Sequence, residues 1–141
     1  GAHTSSAKGF DHMAAMVADG AAAKETWKRT LGLEVVHEIP VPARQMVIAQ
    51  VPAGQLIIEL ISPTSPESPI AERIAQNGEG MGTSVAFEVL DIDAEIARYR
   101  AAGYTLPDAA TGPLPVSVTS TITADQTFGL AIQLIQYGRA S

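Results

Sequence analysis

The sequence predicts an α+β fold in which tandem βαβββ modules form a curved mixed sheet around a cleft, with the helices on the convex face. Two observations predict it. First, a strand, a capped helix and a closing glycine occur twice at a spacing of about 72 residues. Second, short β-rich runs separated by Pro and Gly follow each helix. Each half alone would leave unpaired sheet edges, so we expect the halves to join in one compact domain.

The first module is predicted over residues 10–62. A buried strand leads to a helix that begins after the N-cap Asp19 and ends at Gly32. Prolines and a glycine then separate three β-rich runs, as turns between strands should. The four strands of the module are expected over residues 11–17, 33–39, 45–51 and 56–61.

A connector over residues 63–81 is rich in Ser and Pro and contains a short helix, with Ser68 as its cap and Pro69 at its first position. The second module follows over residues 82–137. Its helix begins after Asp91 and ends at Gly103, in the manner of the first helix. Its strands are expected over residues 82–89, 104–107, 116–123 and 130–136.

Composition excludes several classes of protein. The net charge of −6 and the pI near 4.9 argue against a nucleic-acid partner, because phosphate binding relies on Lys and Arg. The absence of cysteine excludes thiol nucleophiles and Cys-based metal sites. No apolar run is long enough to span a membrane, and we expect a cytoplasmic protein. Residues 1–9 are interpreted as a disordered tail or cloning remnant, so His3 is set aside.

Alternation along the strands places polar groups on one face. His12 lies opposite the apolar Met13, Ala15 and Val17, and Glu59 lies opposite Leu56, Ile58 and Leu60. The repeat puts Ser84 where His12 stands and Gln133 where Glu59 stands. A buried carboxylate needs a partner, which is either His12 or a metal. The predicted site therefore has His12 and Glu59 as catalytic residues, with substrate-binding candidates Gln50, Ser84, Thr119, Thr121 and Gln133.

A known family shares these motifs. The stretches FDHMAAMV, LGLEVVHEIPVP, IIELISPTSPESPIAERIAQNGEG, VAFEVLDIDAEIARYRAAG and LAIQLIQ are similar to the vicinal-oxygen-chelate (glyoxalase/bleomycin-resistance/dioxygenase) superfamily. Within it, the sequence most resembles methylmalonyl-CoA epimerases. The resemblance implies a divalent metal held by four strand residues, with a nearby carboxylate moving a proton. It also implies a homodimer, since this fold often pairs.

The resemblance identifies His12 and Glu59 as two ligands of such a metal, whereas the other two positions fall on Ser84 and Gln133. A serine hydroxyl is a poor ligand for a divalent transition metal, and a catalytic zinc site normally has three protein ligands. The family's catalytic carboxylate on the third strand falls on Val47. The sequence therefore predicts an incomplete metal site and no tightly bound cofactor.

Two functions stay open at this point. The first is an isomerase-, epimerase- or lyase-type enzyme that moves a proton on a small carbonyl or acyl substrate, such as a natural-product intermediate, with Glu59 orienting His12. This proton-transfer function is favoured over that of a metal-dependent methylmalonyl-CoA epimerase. The second is a non-catalytic, resistance-type protein that binds a small molecule in the same cleft. His37, beside Glu38, is expected to be a surface residue.

Overall fold

The computed structural model describes residues 7–80 and 84–139. Over these residues the chain is α+β, with strands and helices in the order of two consecutive βαβββ modules, which confirms the predicted fold class. Short 3-10 helices at Pro42–Arg44 and Ala124–Gln126 lie in connecting loops. The strands and α-helices are β1 Ala7–Met16, α1 Gly20–Leu31, β2 His37–Val41, β3 Met46–Ala53, β4 Leu56–Pro63, α2 Pro69–Asn77, β5 Ser84–Val89, α3 Ile92–Ala101, β6 Ala110–Thr111, β7 Ser117–Ile122 and β8 Ala131–Tyr137.

The described residues divide into two compact units, and β1 contributes to both. Residues 12–80 form the first unit, whereas residues 7–11 belong with residues 84–139 in the second. Three contacts attach the start of β1 to the second unit: the Lys8–Glu88 ion pair at 3.3 Å, an edge-to-face contact of Phe10 with Phe87, and a 2.7 Å hydrogen bond from Tyr137 Oη to Asp11 Oδ2.

The first unit has the strand order β2-β3-β4-β1. β1 runs parallel to β4, whereas β2, β3 and β4 are antiparallel neighbours. One sheet face packs against α1, where Trp27 contacts a core that includes Val51 and Leu60. Burial of this apolar face stabilises the sheet and leaves the opposite face for other side chains.

The second unit has the strand order β5-β8-β7-β6, with β5 parallel to β8. Its core joins Ile92 and Ile96 of α3 to Val118, Ile122 and Leu134 of the sheet. Within α3, Arg98 donates to the buried Glu95 at 2.9 Å. This hydrogen bond raises the pKa of Arg98.

Helix boundaries follow the capping signals of the sequence. Asp19 and Asp91 accept hydrogen bonds from the backbone N–H three residues on, and Ser68 accepts one from Ile70. Gly32 ends α1 at φ 68°, a left-handed conformation that glycine adopts without steric cost. The three predicted helices are confirmed. No helix among the described residues has the length and apolarity to cross a membrane.

Some predicted strands differ from the observed ones. No strand forms over residues 104–107. There the Gln126 side chain binds both the N–H and the C=O of Thr105, Arg100 binds the C=O of Leu106, and Pro107 has no N–H to donate. β2 begins at His37 rather than at residue 33. β1 begins at Ala7, so residues 7–9 are strand rather than tail, whereas His3 and residues 81–83 lie outside the described residues.

Candidate functional site

β1 and β4 bring His12 and Glu59 to one face of the first unit. The parallel register pairs His12 with Ile57 and Ala14 with Glu59. Because paired residues share a face and neighbouring residues of one strand project to opposite faces, His12 and Glu59 project from the side opposite Leu60. Leu60 belongs to the core under α1, so the polar pair lies on the face that α1 does not cover.

His12 and Glu59 form a buried pair. The distance from His12 Nε2 to Glu59 Oε1 is 3.3 Å, and the residues are 4% and 2% exposed. A carboxylate so removed from water is strongly destabilised unless it is paired and hydrogen-bonded. The structure places the imidazole beside the carboxylate, and the catalytic role of the two residues stays a prediction.

Gln50 is the second partner of the carboxylate. It lies directly across from Glu59 in the β3–β4 register, and its Nε2 donates to Glu59 Oε2 at 2.8 Å. Both carboxylate oxygens thus have a partner, Gln50 on one and His12 on the other. Gln50 was predicted to bind substrate, and in this structure its amide nitrogen holds Glu59 in place.

The second unit carries the other predicted residues on one sheet face. Thr121 is paired with Gln133 across β7 and β8, and Thr119 lies two positions away on the same side of β7. Ser84 begins β5 opposite Ala131, which puts it on the same face as Gln133. All four are partly exposed and neutral, which suits hydrogen bonding to a ligand. Their role in substrate binding remains a prediction.

One residue outside the predicted site lies on the same face as Glu59. His37, expected only to be a surface residue, is exposed, and the β2–β3 register pairs it with Gln50. The signal that could have found it is the two-residue alternation of β2, in which His37 shares a face with Ile39.

Comparison with known proteins places these residues in a family. Residues 11–114, more than half of the chain, match the sequence profile of the Glyoxalase/Bleomycin resistance protein/Dioxygenase superfamily. The chain belongs to this superfamily. The resemblance inferred from the sequence is therefore confirmed, and the matched region includes His12, Gln50 and Glu59.

Proteins similar to this chain include methylmalonyl-CoA epimerases. The mitochondrial methylmalonyl-CoA epimerase of Bos taurus is 31% identical over 87 residues, which is 62% of this chain and 50% of that protein. The chain thus spans about half the length of this curated relative. Methylmalonyl-CoA epimerase from Mycobacterium tuberculosis superposes with a TM-score of 0.81 at 29% identity, covering 98% of this chain and 93% of that one.

A solved structure of lower identity shows the same fold with a ligand bound. It is a variant of Streptomyces coelicolor methylmalonyl-CoA epimerase in complex with 2-nitronate-propionyl-CoA. Its TM-score is 0.81 at 24% identity, and the superposition covers 94% of this chain and 96% of that one. At this identity the likeness establishes the fold.

The residues of the site do not fit the divalent metal that the resemblance implies. Within residues 7–80 and 84–139, no three side chains of the ion-binding types His, Asp and Glu come together. His12 and Glu59 supply one imidazole and one carboxylate, whereas a catalytic zinc site takes three protein ligands.

Proposed function

We propose that the protein is an epimerase- or isomerase-type enzyme that moves a proton on a small carbonyl or acyl substrate. The observation that carries this proposal is the buried His12–Glu59 pair, fixed from the other side by Gln50. Similarity to methylmalonyl-CoA epimerases supports an acyl thioester as the class of substrate.

The proposed reaction is general base catalysis by His12. The carbonyl of an acyl substrate acidifies its α-C–H, and His12 takes that proton to leave an enolate. Glu59 stays ionised, orients the ring through Nε2 and stabilises the imidazolium that forms, as the carboxylate of a catalytic triad does. Because His12 is the one group assigned to carry the proton, inversion of the centre requires the enolate to turn in the site before His12 protonates its other face. Exchange of the proton on His12 with solvent labels the substrate whichever face is protonated.

The hydrogen bond from Gln50 supports different roles for Glu59 and His12. A carboxylate that already accepts a hydrogen bond at Oε2 and faces an imidazole at Oε1 is held in one orientation. Such preorganisation favours Glu59 as the orienting group and His12 as the group that meets the substrate.

Solvent exchange tests the proposal. Methylmalonyl-CoA and propionyl-CoA are incubated in D2O with the protein, and α-deuterium is measured by NMR. We expect exchange that falls by about 10²- to 10⁴-fold in His12→Ala, the usual effect of removing a general base. Glu59→Gln should reduce it, while Glu38→Gln, on the opposite face of the sheet, should not.

A binding function is the second candidate. Ser84, Thr119, Thr121 and Gln133 are neutral, which favours recognition of a carbonyl or hydroxyl over proton transfer. Calorimetric titration separates the two functions. If ligand affinity survives in His12→Ala and no acyl or hydroxy-carbonyl compound exchanges in D2O, the protein binds without catalysing.

A further inference from the structure

A row of polar side chains crosses the first unit from its centre to its edge. His37 opens β2, the outermost strand, and its partner on β3 is Gln50. Gln50 is in turn the partner of Glu59 on β4. Because directly paired residues project to the same face, His37, Gln50 and Glu59 follow one another across three strands.

An independent contact shows from which face of the sheet the His37 side chain projects. The next residue, Glu38, forms an ion pair with Lys24 of α1, so Glu38 projects to the helix side of the sheet. Neighbouring residues of a strand project to opposite faces. His37 therefore projects from the face that carries His12 and Glu59.

Exposure increases outward along this row. His12 and Glu59 are buried, Gln50 is partly exposed, and His37 is exposed. The buried end holds the groups assigned to proton transfer, while the imidazole at the outer end is accessible to a ligand. The register surrounds the row with apolar side chains, among them Ala14, Met16, Ile39, Ile48, Ile57 and Ile61.

We infer that His37 is a substrate-binding residue whose ring N–H donates to an acceptor oxygen on the substrate. Neighbouring strands are about 4.8 Å apart, so the backbone of His37 lies about 10 Å along the row from that of Glu59, and its ring would bind an oxygen on the side of the substrate that faces the sheet edge. A pantetheine thioester has an amide carbonyl one cysteamine unit beyond the thioester, and a malonyl-type acyl group has a carboxylate. The inference rests on the proposed function, because it takes His12 and Glu59 as the reacting end.

The test combines a variant with truncated probes. Propionyl-pantetheine carries the amide, the S-ethyl thioester of methylmalonate carries the carboxylate, and S-ethyl thiopropionate carries neither. Dissociation constants are measured by calorimetry, and deuterium exchange is measured at saturating probe. His37→Ala should weaken binding of at least one of the first two probes by about 10-fold, the effect of one lost hydrogen bond, and leave S-ethyl thiopropionate and the saturated exchange rate unchanged.

The controls separate recognition from structural damage. His37→Gln retains an N–H donor and should recover part of the affinity. Glu38→Ala changes the adjacent exposed residue on the opposite face and should leave all three dissociation constants unchanged. A loss confined to propionyl-pantetheine assigns the oxygen to the arm amide, and a loss confined to the methylmalonyl probe assigns it to the carboxylate.

Equal losses for all probes, or no loss for any, would overturn the role of His37. The dissociation constants can be measured whether or not the protein catalyses exchange. A probe-dependent loss of affinity without deuterium exchange would refute the proposed proton transfer and retain His37 as a ligand-binding residue.

Discussion

Replacement of the buried pair by leucine, singly and together, should separate its interaction energy from its burial cost. In His12→Leu the carboxylate of Glu59, 2% exposed, loses one partner and keeps Gln50. Breaking a buried pair usually destabilises a protein by about 3–5 kcal/mol. With one hydrogen bond kept, we expect a loss of about 2–3 kcal/mol in the free energy of unfolding, or about 6–9 °C in Tm for a chain of this length.

The reciprocal change tests the other partner. Glu59→Leu removes the carboxylate that pairs with His12 and Gln50 and should cost about 1–3 kcal/mol. In the double variant two apolar side chains replace the pair, so its stability should return to within about 1 kcal/mol of the wild type. Urea unfolding followed by circular dichroism gives these values, with Met16→Leu as an apolar control on the same sheet face. Single costs that add in the double variant would refute the coupling.

Three further changes test other contacts. Gln50→Leu should destabilise the protein by about 1–2 kcal/mol, because its hydrogen bond goes to a charged group, and the loss should vanish in a Glu59→Leu background. Phe128→Asn should raise the free energy of unfolding by about 0.5 kcal/mol in urea titrations, since Phe128 is fully exposed at φ 58°, where asparagine is less strained; a decrease would show that the ring has a stabilising contact. Arg98→Met should lower Tm, because it removes an ion-pair partner of the buried Glu95, whereas an unchanged Tm would show that this ion pair contributes no net stability.

The sequence was most informative where a local rule applies. Side-chain alternation predicted the common face of His12 and Glu59, because a strand residue can project only to one side or the other. Capping residues predicted all three helices, because the N-cap hydrogen bond is made within a single turn.

What the sequence did not reveal depends on contacts between strands. The hydrogen bond from Gln50 to Glu59 follows from the β3–β4 register, which the turn at Gly54 sets with φ 66°. The face of His37 likewise depends on where β2 begins. The predicted strand at residues 104–107 was wrong because distant side chains, those of Gln126 and Arg100, occupy the backbone groups that a neighbouring strand would bind.

The passage of β1 through both compact units limits how this chain can be cut. The repeat suggests a division at the connector, yet such a cut would take Lys8, Phe10 and Asp11 away from Glu88, Phe87 and Tyr137. A C-terminal fragment would need those residues returned, either as an added peptide or by circular permutation. The two sequence modules therefore do not correspond to two separable fragments, because the first residues of β1 belong to the second compact unit.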